Sequence, residues 1–135
     1  MLDCSVTIAW FLEDEITPFS DSVQYSFAQG AHAWVPAIWL YEVINAFIVA
    51  ERRKRITPQK IEGFLEVLES LPVYVDALPN FTDLRRIMNL CREQNLASYD
   101  AAYLELAQRK GIPLATLDQR LITAAENLNI ELLRE

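Results

Sequence analysis

The sequence predicts an α/β fold, a short and mostly parallel central sheet flanked by helices. Short apolar, β-branched and aromatic runs alternate with segments of helical periodicity, which is the pattern of βα units around a doubly covered sheet. Thr-Pro pairs and glycines punctuate these segments as helix starts and stops. A chain of 135 residues, 52% hydrophobic and 23% charged, is long enough to bury one core without metal or disulfide staples.

The elements follow in order. Asp3 ends a first strand in Leu2-Asp3-Cys4-Ser5-Val6, and Ser5 to Leu12 stays apolar up to the acidic turn Glu13-Asp14-Glu15. Thr17-Pro18 starts a helix that Gly30 closes. His32 to Val35 reads as a strand stopped by Pro36. The apolar segment Ile38 to Ala50 ends in the basic run Arg52 to Arg55, whose cations complement a helix dipole. Thr57-Pro58 repeats the start signal, with Ile61, Phe64, Leu65, Leu68 and Leu71 at helical spacing. Val73 to Val75 is a strand, and Phe81 to Gln94 a helix with Leu84, Ile87, Met88 and Cys91 on one face. Ser98 is expected to cap a helix running to Lys110, closed by Gly111. Leu114 to Leu117 is a strand, Asp118 begins a helix, and Ile130 to Leu133 is a final strand. With no internal repeat or linker, a single domain over residues 1–135 is expected.

Composition narrows the function. Against 19 acidic residues stand 12 basic ones, a net charge of −7, which lacks the basic footprint usual for nucleic-acid binders. Cys4 and Cys91 form no C-x-x-C pair, which predicts a reducing compartment. An acid at residue 3 and the absence of a long uncharged apolar run predict a cytoplasmic protein with no membrane partner. One histidine rules out a two-His metal motif. No G-x-S-x-G, G-x-G-x-x-G or P-loop sequence occurs. Carboxylate chemistry remains.

Four acids interrupt apolar surroundings: Asp3, Glu42, Asp100 and Asp118. Taken singly, Asp100 and Asp118 read as helix caps, Asp3 as a solvated terminal residue, and Glu42 with Asn45 as a surface stripe. Taken together, Asp3 and Asp118 fall at carboxyl ends of strands and Asp100 at a helix start, where open parallel sheets place their functional crevice. Oxygen ligands without histidine or cysteine select a hard ion, Mg²⁺ or Mn²⁺. The three tryptophans, Trp10, Trp34 and Trp39, are expected in the core and pocket walls, and His32 in a structural role.

Four segments then match a known pattern: Leu2-Asp3-Cys4-Ser5-Val6, Pro36 through Glu42 to Asn45, Tyr99-Asp100-Ala101-Ala102-Tyr103 with Leu106-Ala107, and Ala115-Thr116-Leu117-Asp118. In their order and spacing the chain resembles a PIN domain, and among these it is similar to the VapC-type ribonuclease toxins of toxin–antitoxin pairs. The first strand is shorter than is usual in that family. The resemblance implies a PIN-like three-layer fold and a Mg²⁺- or Mn²⁺-dependent endoribonuclease. It implies an acidic quartet of Asp3, Glu42, Asp100 and Asp118, supported by the polar residues Ser5, Asn45 and Thr116. It further implies an RNA substrate cut to 5′-phosphate and 3′-hydroxyl ends, a cognate antitoxin protein and a homodimer. A non-cleaving PIN-like interaction protein is the alternative. A haloacid-dehalogenase-type phosphatase is disfavoured, because Asp3-Cys4-Ser5 lacks D-x-D. On this view the acidity marks the site, and the cations at Arg52 to Arg55, Arg85, Arg86 and Arg92 are candidates for guiding RNA.

Overall fold

The structure, a computed structural model, describes residues 1–134; the last residue of the expected domain lies outside them. Seven helices and two strands are formed among the described residues: α1 (Cys4–Ala9), α2 (Pro18–Ala28), β1 (Ala33–Val35), α3 (Ile38–Arg52), α4 (Pro58–Ser70), β2 (Val73–Val75), α5 (Phe81–Gln94), α6 (Ser98–Lys110) and α7 (Gln119–Asn127). The α/β class stands as the sequence predicts it.

Local chemistry explains most of the boundaries. Thr17 and Thr57 accept hydrogen bonds from the backbone amides of Ser20 and Lys60, and proline occupies the first turn of each helix, where its missing N–H costs nothing. Asn80 and Asp83 form a reciprocal capping box that opens α5. Gly111 ends α6 at φ 61°, a conformation that favours glycine. One cap differs from expectation. Ala97 holds the extended cap position ahead of α6 and Ser98 is already helical, with no side-chain cap bond.

The sheet is shorter than predicted but keeps the expected parallel sense. β1 pairs parallel with β2, Ala33 opposite Val73 and Val35 opposite Val75. Leu2 donates its N–H to the Trp34 carbonyl at 3.1 Å, which sets the first segment beside β1. On its other side Leu2 bridges Ala115, and Leu114 bridges Leu132, both in parallel. The predicted strands at 114–117 and 130–133 are thus reduced to single bridges. Each spends only one or two residues in the sheet. Read across, the extended segments run 73–75, 33–35, 1–3, 114–115, 131–133. The chain moves outward from the first segment to one side and then returns to the other, so a topological switch point lies between residues 1–3 and 114–115.

Around this sheet α1 packs on α2 and α3, and α6 on α5 and α7. Trp10 and Trp39 are buried as expected, their indole N–H groups donating to the Ser20 carbonyl (2.8 Å) and Thr7 Oγ1 (3.1 Å). Trp34 is half-buried beneath Lys110, whose Nζ lies 3.5 Å from the ring centroid. His32 is exposed and meets Tyr74 edge-on. On α5 the buried residues are Asp83, Ile87 and Leu90, while Leu84 and Met88 of the predicted apolar face remain exposed. No helix among the described residues is long and apolar enough to cross a membrane.

A charge network locks the far half of α6. Glu105, only 3% exposed, accepts from Arg86 Nε at 3.1 Å and Arg109 Nε at 2.9 Å. Arg109 also reaches Asp76 just beyond β2, at 2.5 Å, and Arg86 pairs with Asp83. Arg109→Met is expected to cost roughly 2 kcal/mol in chemical denaturation, less than for a lone buried pair because Glu105 keeps Arg86. Burial pushes the Asp76 carboxyl up, but the Arg109 and Lys110 hydrogen bonds and charges outweigh it and hold it below 3.8. Its contribution is therefore complete above pH 3.8 and lost as pH falls through the depressed native value. Acid titration of Asp76→Asn should lack that part of the loss.

Candidate functional site

At the switch point a buried carboxylate joins two chain segments. Asp3 is 5% exposed and caps α1, its Oδ2 accepting from the Ser5 backbone amide at 3.3 Å. The same oxygen accepts from the Ser5 hydroxyl and from Thr116 Oγ1, the latter at 2.8 Å and 113 residues away in sequence. Both hydroxyls also receive hydrogen bonds: Ser5 Oγ accepts from Leu117 N–H at 2.9 Å and Thr116 Oγ1 from Asp118 N–H at 3.0 Å. This knot fixes the end of the first segment to the end of the fourth.

Three further acids border it. Asp118 caps α7, its Oδ1 accepting from the amides of Arg120 (2.7 Å) and Leu121 (3.4 Å). Asp100 sits half-buried in the first turn of α6. Glu42 sits half-buried near the start of α3, where its Oε2 accepts from the hydroxyl of Tyr103 on α6. The solvated reading of Asp3 therefore fails. The cap reading of Asp118 is correct and coexists with a place beside the other acids, because capping engages only one of its oxygens.

Electrostatics shows how close these groups stand. Burial raises the Asp3 carboxyl despite the stabilising Ser5 and Thr116 hydrogen bonds. Burial raises Asp100, and the charges of Asp118 and Asp3 raise it further, against the opposing Arg120. Burial likewise raises Glu42; the Tyr103 hydrogen bond opposes this, and the charges of Asp3 and Asp100 reinforce it. Asp3, Glu42, Asp100 and Asp118, from four separate elements, thus share one electrostatic neighbourhood. Cys4 beside them is held as a thiol by burial and by the charges of Glu42 and Asp3.

Such a set suits a hard divalent cation. It is rich in carboxylate oxygen, has a hydroxyl-supported member, and is repulsive without a counter-charge. Among the described residues no three His, Cys, Asp or Glu side chains converge as a formed cation cage.

Of the expected supporting residues, Ser5 and Thr116 bind Asp3, but Asn45 is exposed and bonds to none of the four acids among the described residues. The buried stripe of α3 runs through Trp39, Val43, Phe47 and Ala50, which turns Asn45 outward. Two site neighbours had no separate signal. Tyr103 reaches Glu42 across 61 positions, and Arg120 was concealed among ordinary helix-start residues although it follows Asp118 by two. Two candidate guiding cations are engaged elsewhere: Arg55 with Asp14 and Glu15, Arg86 with Glu105 and Asp83.

The comparisons with known proteins agree with this architecture. The PIN domain model matches residues 1–127. The fold is similar to the crystal structure of PAE2754 from Pyrobaculum aerophilum, at a TM-score of 0.69 and 22% identity, over 91% of this chain and 82% of that one. No curated protein matches the sequence.

The mutual repulsion has a measurable consequence in metal-free protein. Asp100→Asn should raise stability at pH 7 by on the order of 0.5 kcal/mol, the scale of a solvent-screened charge term. Because the native Asp100 carboxyl is raised, wild type regains this difference as it protonates. The two unfolding curves should converge as pH falls through that raised value toward 3.8.

Proposed function

The chain belongs to the PIN-domain family, whose members are generally nucleases, and from that premise we propose that it is a Mg²⁺- or Mn²⁺-dependent endoribonuclease. The observation that carries the reading is the electrostatic coupling of Asp3, Glu42, Asp100 and Asp118 at the switch point. Four acids gathered there disfavour the fold unless a cation and a phosphate complete the charge balance.

Asp3, Asp100 and Asp118 hold the cation, directly or through water, and Glu42 orients the ion or the attacking water. A divalent cation bound there neutralises the scissile phosphate, lowers the pKa of water and stabilises the leaving oxygen. Ser5 and Thr116 fix the Asp3 carboxylate through Oδ2. Arg120, whose charge acts on Asp100, is a candidate cation for the phosphate backbone. Exposed Arg52, Arg53, Lys54, Arg85 and Arg92 extend the attraction at longer range, and hydrolysis leaves 5′-phosphate and 3′-hydroxyl ends.

The finer reading is a cytoplasmic VapC-type toxin restrained by an antitoxin. An apolar groove of about 310 Å³ between α3 and α4, with Leu40, Val43, Ile44, Leu65 and Leu68 in its walls, supports a protein partner on the helix that carries Glu42. The net charge of −7 suits a basic segment in that partner. Exposed Phe81, Leu84 and Met88 on α5 support self-association as a homodimer.

Purified protein should cut RNA with Mn²⁺ or Mg²⁺ and stop when the metal is chelated. Asp100→Asn should remain folded and fall to the level of the no-enzyme control, whereas equal cleavage by wild type and variant rejects the site. RNA binding without metal-dependent cleavage in wild type would mark the non-cleaving alternative. Thr116→Val, which removes the hydroxyl from Asp3 and keeps the side-chain shape, should lower activity or metal affinity about 10–100-fold.

A further inference from the structure

We propose that Tyr103 is a positioning residue for this site: its hydroxyl, reaching from α6 to α3, holds the Glu42 carboxylate in the acidic group. The inference rests on the nuclease reading and adds to it a residue outside the acids and their hydroxyl supports.

Tyr103 is fully buried, at 0% exposure, and a buried phenol must place its O–H on an acceptor. The acceptor here is Glu42 Oε2, a charged group in the site. Among the described residues this is the only hydrogen bond of the Glu42 side chain, and its half-buried carboxylate meets the repelling charges of Asp3 and Asp100. Without the phenol nothing holds the side chain against that repulsion, and the solvent beside it is the favoured alternative. Tyr103 follows Asp100 by three positions, so both project from one face of α6. Ala101, Leu104, Leu106 and Ala107 bury the same helix. One rigid element thus supplies an acid and fixes another on a neighbouring helix. The arrangement also keeps the donor a donor, since burial and the Glu42 charge push the phenol well above its usual range.

The test compares wild type, Tyr103→Phe, Glu42→Gln and the double variant. It reads Mn²⁺ affinity by calorimetry without RNA, kcat and KM for RNA cleavage, and unfolding temperature. Phenylalanine keeps the ring and deletes only the donor. All measurements are made at a temperature where circular dichroism shows every variant folded, so a loss of stability does not mask the result. The expected result is a fall of about tenfold or more in Mn²⁺ affinity and in kcat for Tyr103→Phe, with KM unchanged. Tyr103→Phe should cost nothing further once Glu42→Gln is present, which purely structural packing does not produce. Wild-type behaviour of Tyr103→Phe, or an equal loss in the Glu42→Gln background, overturns the proposal and leaves the nuclease reading intact. A wild type that neither binds Mn²⁺ nor cuts RNA overturns both.

Discussion

The hydrogen bond from Thr116 to the buried Asp3 carboxylate is the interaction on which the remaining architecture turns. A carboxylate this deep is tolerated only where donors surround it, and here the donors come from both ends of the chain. Satisfying Asp3 therefore brings residues 1–3 against 114–116, and the backbone bonds from Asp3 N–H to the Ala115 carbonyl and from Ala115 N–H to the Met1 carbonyl complete the join. The sheet is too short to set this registry by pairing alone. The side chains at its switch point do part of what longer strands do in larger α/β folds.

That arrangement carries an opposing pair of forces. Asp3 is raised by burial, and Glu42 and Asp100 by burial and by neighbouring acids, so the region is least comfortable where the fold is most tightly tied. Compensation comes from the other end of α6, where Glu105 lies between Arg86 and Arg109 and Asp76 is held below its usual range. One helix thus has a repelling first turn and a neutralised last turn. Stored repulsion in a supported frame is the condition under which a counter-charge is welcome.

What the sequence disclosed, and what it withheld, follows the range of the interactions. Thr17-Pro18, Thr57-Pro58 and Gly111 act within a turn of their own position, and the helices they bound are those observed. Phe81–Gln94 was legible to both ends for the same reason. Ser98 misled because a hydroxyl was the favoured local cap, yet Ala97 carries the extended backbone. Asp118 poses a false choice between cap and site, because capping uses one of its oxygens and leaves the other free. The strands at 114–117 and 130–133 are short because their pairing depends on partners 113 and 18 positions away, respectively. Tyr103 is visible only as a member of the Tyr99–Tyr103 segment, and its contact is hidden because the partner, Glu42, lies 61 residues upstream. The neighbours of the quartet were thus visible as types and invisible as contacts.

The burial of α6 from Ala101 to Ala107 has a consequence for any molecule that approaches. Tyr103, buried within that stretch, has no independent opening, and loosening it means disturbing the core itself. The site is therefore inelastic, and accommodation falls to the visitor. Under the proposed nuclease function that visitor is RNA, and compliance in the encounter resides in the nucleic acid.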